Sequence, residues 1–110
     1  MPKATMIVWS DPSDPAREDE FNEWYNGTHA PDMLKVPGFV ACTRFKVSDV
    51  QLGPVETPGS YVAYYEIETD DLAAIPAAIM AAFTAGELPT TDVIAPGPIV
   101  FLEPASERIT

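Results

Sequence analysis

The stretch Ser60 to Glu68, SYVAYYEIE, limits the fold more than any other part of the chain. It alternates as a strand does, with Tyr61, Ala63, Tyr65 and Ile67 facing one way and Val62, Tyr64, Glu66 and Glu68 the other. Both sets carry apolar or aromatic groups near the middle, so the strand needs cover on both faces. A chain of 110 residues buries only about two thirds of the surface its unfolded form exposes. Its own helices can cover one face, and the second cover has to come from elsewhere.

The other elements follow from punctuation and period. Ala4 to Ser10 is β-branched and apolar and reads as a first strand, stopped by the turn residues Asp11 to Pro15. Asp14 and Pro15 read as an N-cap and first helical position, with Glu18, Asp19 and Glu20 near the positive helix end. Phe21, Trp24, Tyr25, Thr28 and His29 then share one face at helical spacing. Pro31 biases Ala30 out of the helical region, so regular helix is expected to stop near His29, with a short irregular turn over Asp32 to Val36. Pro37 and Gly38 lead into a strand from Phe39 to Val47, with Phe39, Ala41, Thr43, Phe45 and Val47 on one face and Val40, Cys42, Arg44 and Lys46 on the other. Ser48 to Gly59 reads as a loop to the Ser60 strand. Asp70 or Asp71 is expected to cap a second helix with the stripe Leu72, Ile75, Ile79 and Phe83 and a C-cap at Gly86. Pro76 either kinks its first turn or stands at its first position after Ile75. Pro98 to Glu103 is the last strand.

The order β, α, β, β, α, β defines an α+β, ferredoxin-like βαββαβ arrangement, a four-stranded antiparallel sheet with two helices on one face. No repeat or linker interrupts it, and residues 1–110 are read as a single domain. The bare sheet face calls for a partner sheet, so a homodimer is expected.

Composition removes several classes of function. Seventeen acidic against six basic residues give a formal charge of −11, and the six cations are scattered, which argues against nucleic acid and anionic membrane surfaces as partners. No apolar run approaches the roughly 20 residues that span a bilayer. The single cysteine, Cys42, forms no intrachain disulfide and reads as a buried filler, and the start of the chain lacks a secretory pattern, so a cytoplasmic location is expected. There is no Cys/His cluster for zinc, no phosphate-cradling glycine loop, and no nucleophile elbow around any serine. Heme ligation would rest on one histidine alone. No cofactor is expected.

His29, the only histidine, is the natural general base, weighed against a helix-capping role through the last carbonyls. Tyr25, one turn earlier, is placed to steady a developing oxyanion, or is an interior aromatic with a satisfied hydroxyl. Asp32 either orients the imidazole or caps and solvates the helix end. Phe21, Trp24, Tyr64 and Tyr65 are read as an aromatic lining for a flat small-molecule ligand, with plain core packing as the alternative.

The run FNEWYNGTHAPDMLKVPGF, Phe21 to Phe39, resembles the signature segment of the dimeric α+β barrel superfamily, in particular its EthD-like branch, at Tyr25, His29, Pro31, Pro37 and Gly38. The resemblance implies a pocket between sheet and helices with His29 near it. It also spans many activities, since barrels of this kind serve as cofactor-free oxygenases, lactone isomerases, polyketide cyclases and heme enzymes. Three readings follow: a cofactor-independent isomerase, cyclase or lyase acting by proton transfer; a non-catalytic ligand-binding or accessory protein; and a cofactor-free monooxygenase.

Overall fold

In a computed structural model that describes residues 2–110, four strands form one antiparallel sheet in the order β2-β3-β1-β4. They are β1 (Lys3–Pro12), β2 (Phe39–Lys46), β3 (Tyr61–Glu68) and β4 (Ile94–Leu102). This is the expected ferredoxin-like topology, with β1 paired to β3 and β4, and β3 to β2.

The first helical layer is a single run in four parts. Asp14 accepts a hydrogen bond from the Ala16 amide at 2.9 Å and opens a 3-10 turn over Pro15–Arg17. Helix α1 (Glu18–Trp24) follows, then a π turn over Tyr25–His29, then helix α2 (Ala30–Met33). The expectation that helix would stop near His29 is therefore corrected. The Ala30 amide bonds to the Tyr25 carbonyl five residues back, and this wide turn resets the ladder. Pro31 then follows the wide turn as the second residue of α2. Asn26, Gly27 and Thr28 lie on the exposed side of the wide turn, so Thr28 is not on the inward face.

Helix α3 (Ala74–Thr84) starts after a backbone turn in which the Ala74 amide bonds to the Asp71 carbonyl, and no Asp side chain caps it. Pro76 sits in its first turn, where amides lack helical partners anyway. Its end matches the sequence reading: Gly86 has φ +77°, and the Gly86 and Glu87 amides close onto the Phe83 and Ala82 carbonyls.

Two strands depart from simple alternation. A bulge between Phe39 and Ala41 turns Phe39 to the same side as Cys42 and Arg44, whereas Ala41, Thr43 and Phe45 face away. Strand β1 runs on through Asp11 and Pro12, which pair with Ala95 and Ile94, so β4 begins four residues before Pro98. Its prolines are tolerated because β4 is an edge strand with a bulge opposite Trp9. Gly97 is required there, since a Cβ at that position would lie 2.6 Å from the Trp9 carbonyl oxygen.

The register sorts the sheet into two faces. Toward the helices lie Ala4, Met6, Tyr61, Ala63, Tyr65 and Ile67, which join Phe21, Tyr25, Met33 and Ile75 in the core. The far face carries rows such as Thr43–Tyr64–Ile7–Val100, and its Phe45, Tyr64, Val100 and Leu102 are exposed.

Candidate functional site

The π turn builds the site. Because it closes five residues apart rather than four, His29 sits over both Trp24 and Tyr25. The Trp24 and His29 rings stack with centroids 4.9 Å apart and planes 18° from parallel, and the Tyr25 ring meets the imidazole edge-on, also at 4.9 Å. The imidazole is thus fixed between two aromatic walls. Its Nδ1 is buried and has no hydrogen-bond partner.

Tyr25 and Tyr65 are fully buried, and the Tyr65 hydroxyl donates to the Tyr25 hydroxyl oxygen at 3.3 Å. That leaves the Tyr25 hydrogen free for another acceptor. Both tyrosines, Trp24 and His29 line a cavity of about 290 Å³ between the sheet and the helices, flanked by α3 at Ile79 and Phe83. The wall is largely apolar, and Trp24, Tyr25, His29 and Tyr65 with Ser10 and Thr90 supply its polar side chains.

Burial sets the protonation states. It lowers the His29 pKa below its ordinary 6.5; the Asp32 charge opposes this and the Arg44 charge adds to it. The imidazole is therefore neutral at pH 7, the form that accepts a proton. Burial raises the phenol of Tyr25, with a smaller opposing effect of the Tyr65 hydrogen bond, so Tyr25 is a protonated donor. Tyr65 is pushed up more strongly, again mainly by burial. The Cys42 thiol is also raised by burial, which fits a filler and not a nucleophile.

The sequence-derived residues divide clearly. Tyr25, His29, Trp24 and Tyr65 meet in the cavity. Phe21 does not line it, but packs edge-on against Tyr25 and Tyr61 from behind. Tyr64 lies on the opposite sheet face with its hydroxyl 3.3 Å from Thr5 Oγ1. Asp32 reaches Lys35 at 3.5 Å and makes no hydrogen bond to His29 among the described residues, so it acts only through its charge. The capping role for His29 also loses its basis, because the helix continues past it. Sequence reasoning missed Arg44, whose guanidinium carbon lies 4.2 Å from the Tyr25 ring centre. The available signal was its strand alternation with Cys42 on a side that proves to face the helices. Among the described residues no group of three or more His, Cys, Asp or Glu side chains is arranged to hold a metal ion. Among the described residues no helix is long and apolar enough to cross a membrane.

Solved structures share this fold. HapK from Hahella chejuensis aligns with a TM-score of 0.59 at 18% identity, over 97% of each chain. An EthD family protein from Bacillus halodurans aligns with a TM-score of 0.55 at 19% identity, over 94% of this chain and 99% of that one. A monooxygenase from the ActVA-Orf6 gene of Streptomyces coelicolor, in complex with nanaomycin D, aligns with a TM-score of 0.51 at 20% identity, over 99% of this chain and 92% of that one. These likenesses establish the fold that the Phe21–Phe39 segment implied. No protein-family model and no curated protein matches the sequence.

Proposed function

We propose that this chain is a cofactor-independent enzyme acting by proton transfer on a flat aromatic, lactone or polyketide-like carbonyl compound, as an isomerase, cyclase or lyase. The observation that carries this reading is a neutral His29 that lines the apolar cavity beside a Tyr25 hydroxyl whose hydrogen is unused. His29 takes the proton from a carbon or phenol made acidic by its carbonyl, and Tyr25 donates to the oxygen that gains charge. The apolar wall excludes water and strengthens both interactions. A ligand-binding or accessory protein would use the same contacts without turnover.

A second reading keeps the same deprotonation but passes the activated phenol to molecular oxygen. Its support is the fold shared with the ActVA-Orf6 monooxygenase, which was solved with nanaomycin D bound. The two separate in one assay series. Carbonyl and phenol compounds that raise the melting temperature are incubated with the protein under air and under nitrogen. Product formed equally in both supports proton transfer, product formed only in air supports oxygenation, and a ligand recovered unchanged from both supports binding alone.

The working unit in this proposal is a cytoplasmic homodimer of the 110-residue domain. A monomer of this length exposes roughly 6,000 Å² by the usual scaling. This chain exposes 7317 Å², and its radius of gyration of 14.9 Å exceeds the roughly 13 Å of a typical domain. The excess is larger than the roughly 800 Å² per partner that a standard interface buries. The apolar far face around Phe45, Tyr64, Val100 and Leu102 is the surface a second sheet would cover.

A further inference from the structure

We infer that Arg44 is a positioning residue for this site: its guanidinium, clamped against the back of the Tyr25 ring, holds the phenol in place and biases the cavity toward a substrate that becomes negatively charged on oxygen. This rests on the reading of Tyr25 as the oxygen-holding donor.

The clamp has three parts. The Arg44 guanidinium carbon lies 4.2 Å from the Tyr25 ring centre, 5.2 Å from Phe21 and 5.3 Å from Tyr61. Its Nη1 donates to Asn22 Oδ1 at 3.0 Å and to Asn26 Oδ1 at 2.9 Å, which ties the cation to α1 and to the π turn. Its Nη2 is buried with no hydrogen-bond partner.

No carboxylate neutralises it. The ion pairs among the described residues belong to Arg17, Lys35 and Lys46. In a chain with 17 acidic and six basic residues, a half-buried arginine held only by amide oxygens and ring faces keeps its whole charge for its surroundings. Arg44 shares the helix-facing side of β2 with Cys42, while Tyr25 is approached from β3 by Tyr65 and from its own helix by His29, with Asp32 beyond. Arg44 is therefore the positive charge against Tyr25, and Asp32 is the negative charge nearer the imidazole.

The consequence follows from the proton's path. When His29 takes a proton, the substrate oxygen gains the negative charge. A cation behind the phenol makes Tyr25 a stronger donor to that oxygen, and it opposes protonation of His29 until the substrate supplies the proton. Lysine in place of arginine keeps the charge but loses the planar group that lies against the Phe21, Tyr25 and Tyr61 rings.

The test reads the unliganded protein. Labelling with 3-fluorotyrosine makes the phenols more acidic and gives each of the four tyrosines its own fluorine resonance, assigned by single Tyr→Phe changes. In Arg44→Met the Tyr25 resonance should titrate at higher pH than in wild type, because the cation that favours its ionised form is gone. The sole imidazole, followed by proton NMR, should titrate at higher pH in the same variant, and Arg44→Lys should recover part of both shifts. If Arg44→Met does not fold, Arg44→Gln serves as the uncharged variant. Superimposable Tyr25 and His29 curves in wild type and the uncharged variant would reduce Arg44 to packing, and so would two Tyr25 curves with no ionisation before alkaline unfolding if the His29 curves also coincide. Because no ligand is present, that failure leaves the role of His29 intact, and inactivity on every carbonyl compound leaves the Arg44 effect intact.

Discussion

Tyr64 and Tyr65 are neighbours in sequence and live in different regions of the molecule. Tyr65 is 0% exposed, bonded to Tyr25 in the wall of the cavity, whereas Tyr64 is 39% exposed on the far face of the same sheet. The pleat alone separates them, since successive strand residues point to opposite faces. The helix-facing side is finished: packed, hydrogen-bonded and wrapped around a cavity. The far side carries an uncovered apolar patch around Phe45, Tyr64, Val100 and Leu102. In the proposed reading one face holds the chemistry and the other the assembly, and the two should respond to different substitutions.

The largest effect is expected on the far face. Phe45→Asp, placed at a residue 53% exposed in the single chain, puts an unpaired charge into the proposed sheet-to-sheet contact. An uncompensated buried charge costs about 3–5 kcal/mol, so the dimer should weaken on the order of a thousandfold. Light scattering at micromolar concentration should find single chains where wild type gives pairs; a wild-type mass of one chain would remove this half of the comparison. Next comes His29→Ala, which should lower turnover by roughly a hundredfold or more with little change in circular dichroism. Tyr25→Phe should cost about tenfold to a hundredfold, the value of one hydrogen bond to a charged acceptor.

Smaller effects sharpen the contrast between the faces. Tyr65→Phe removes the donor to Tyr25 and should destabilise the fold by about 1 kcal/mol in urea denaturation, whereas Tyr64→Phe should stay within about 0.5 kcal/mol. Equal losses would show that the buried hydroxyl pair has no special weight. The smallest effect is a pH dependence. His29 has a lowered pKa in the folded state, so its protonation favours the unfolded chain. Stability should hold above the ordinary 6.5, fall as the pH drops from there through the lowered value, and level off below it. His29→Ala should lack that component in melting curves taken across the same range.

Most of the fold was legible because strand alternation and turn residues are local signals. Asp14, Gly86 and the Ser60–Glu68 strand acted as their chemistry dictates. What could not be read were irregularities set by tertiary context. The π turn before Pro31, the bulge at the start of β2 and the bulge opposite Trp9 each insert a residue into a period. Each such insertion moves later side chains to a new face. At the site, His29 and Tyr25 were legible from helical spacing, but the stack with Trp24 depends on the π turn. Tyr64 was grouped with Tyr65 by residue type although the alternation already divided them. Arg44 was hidden because a charged residue on a strand reads as solvated until the rings beneath it are placed.

In the proposed function His29 exchanges a proton with a bound ligand. The direct measurement is hydrogen–deuterium exchange at the carbon next to the carbonyl of a ligand that raises the melting temperature, followed by proton NMR in deuterium oxide. Wild type should exchange that position well above the rate without protein, and His29→Ala, still folded and still binding, should fall roughly a hundredfold or more toward that background. A bound ligand that wild type leaves unexchanged, or that His29→Ala exchanges equally fast, would contradict the account.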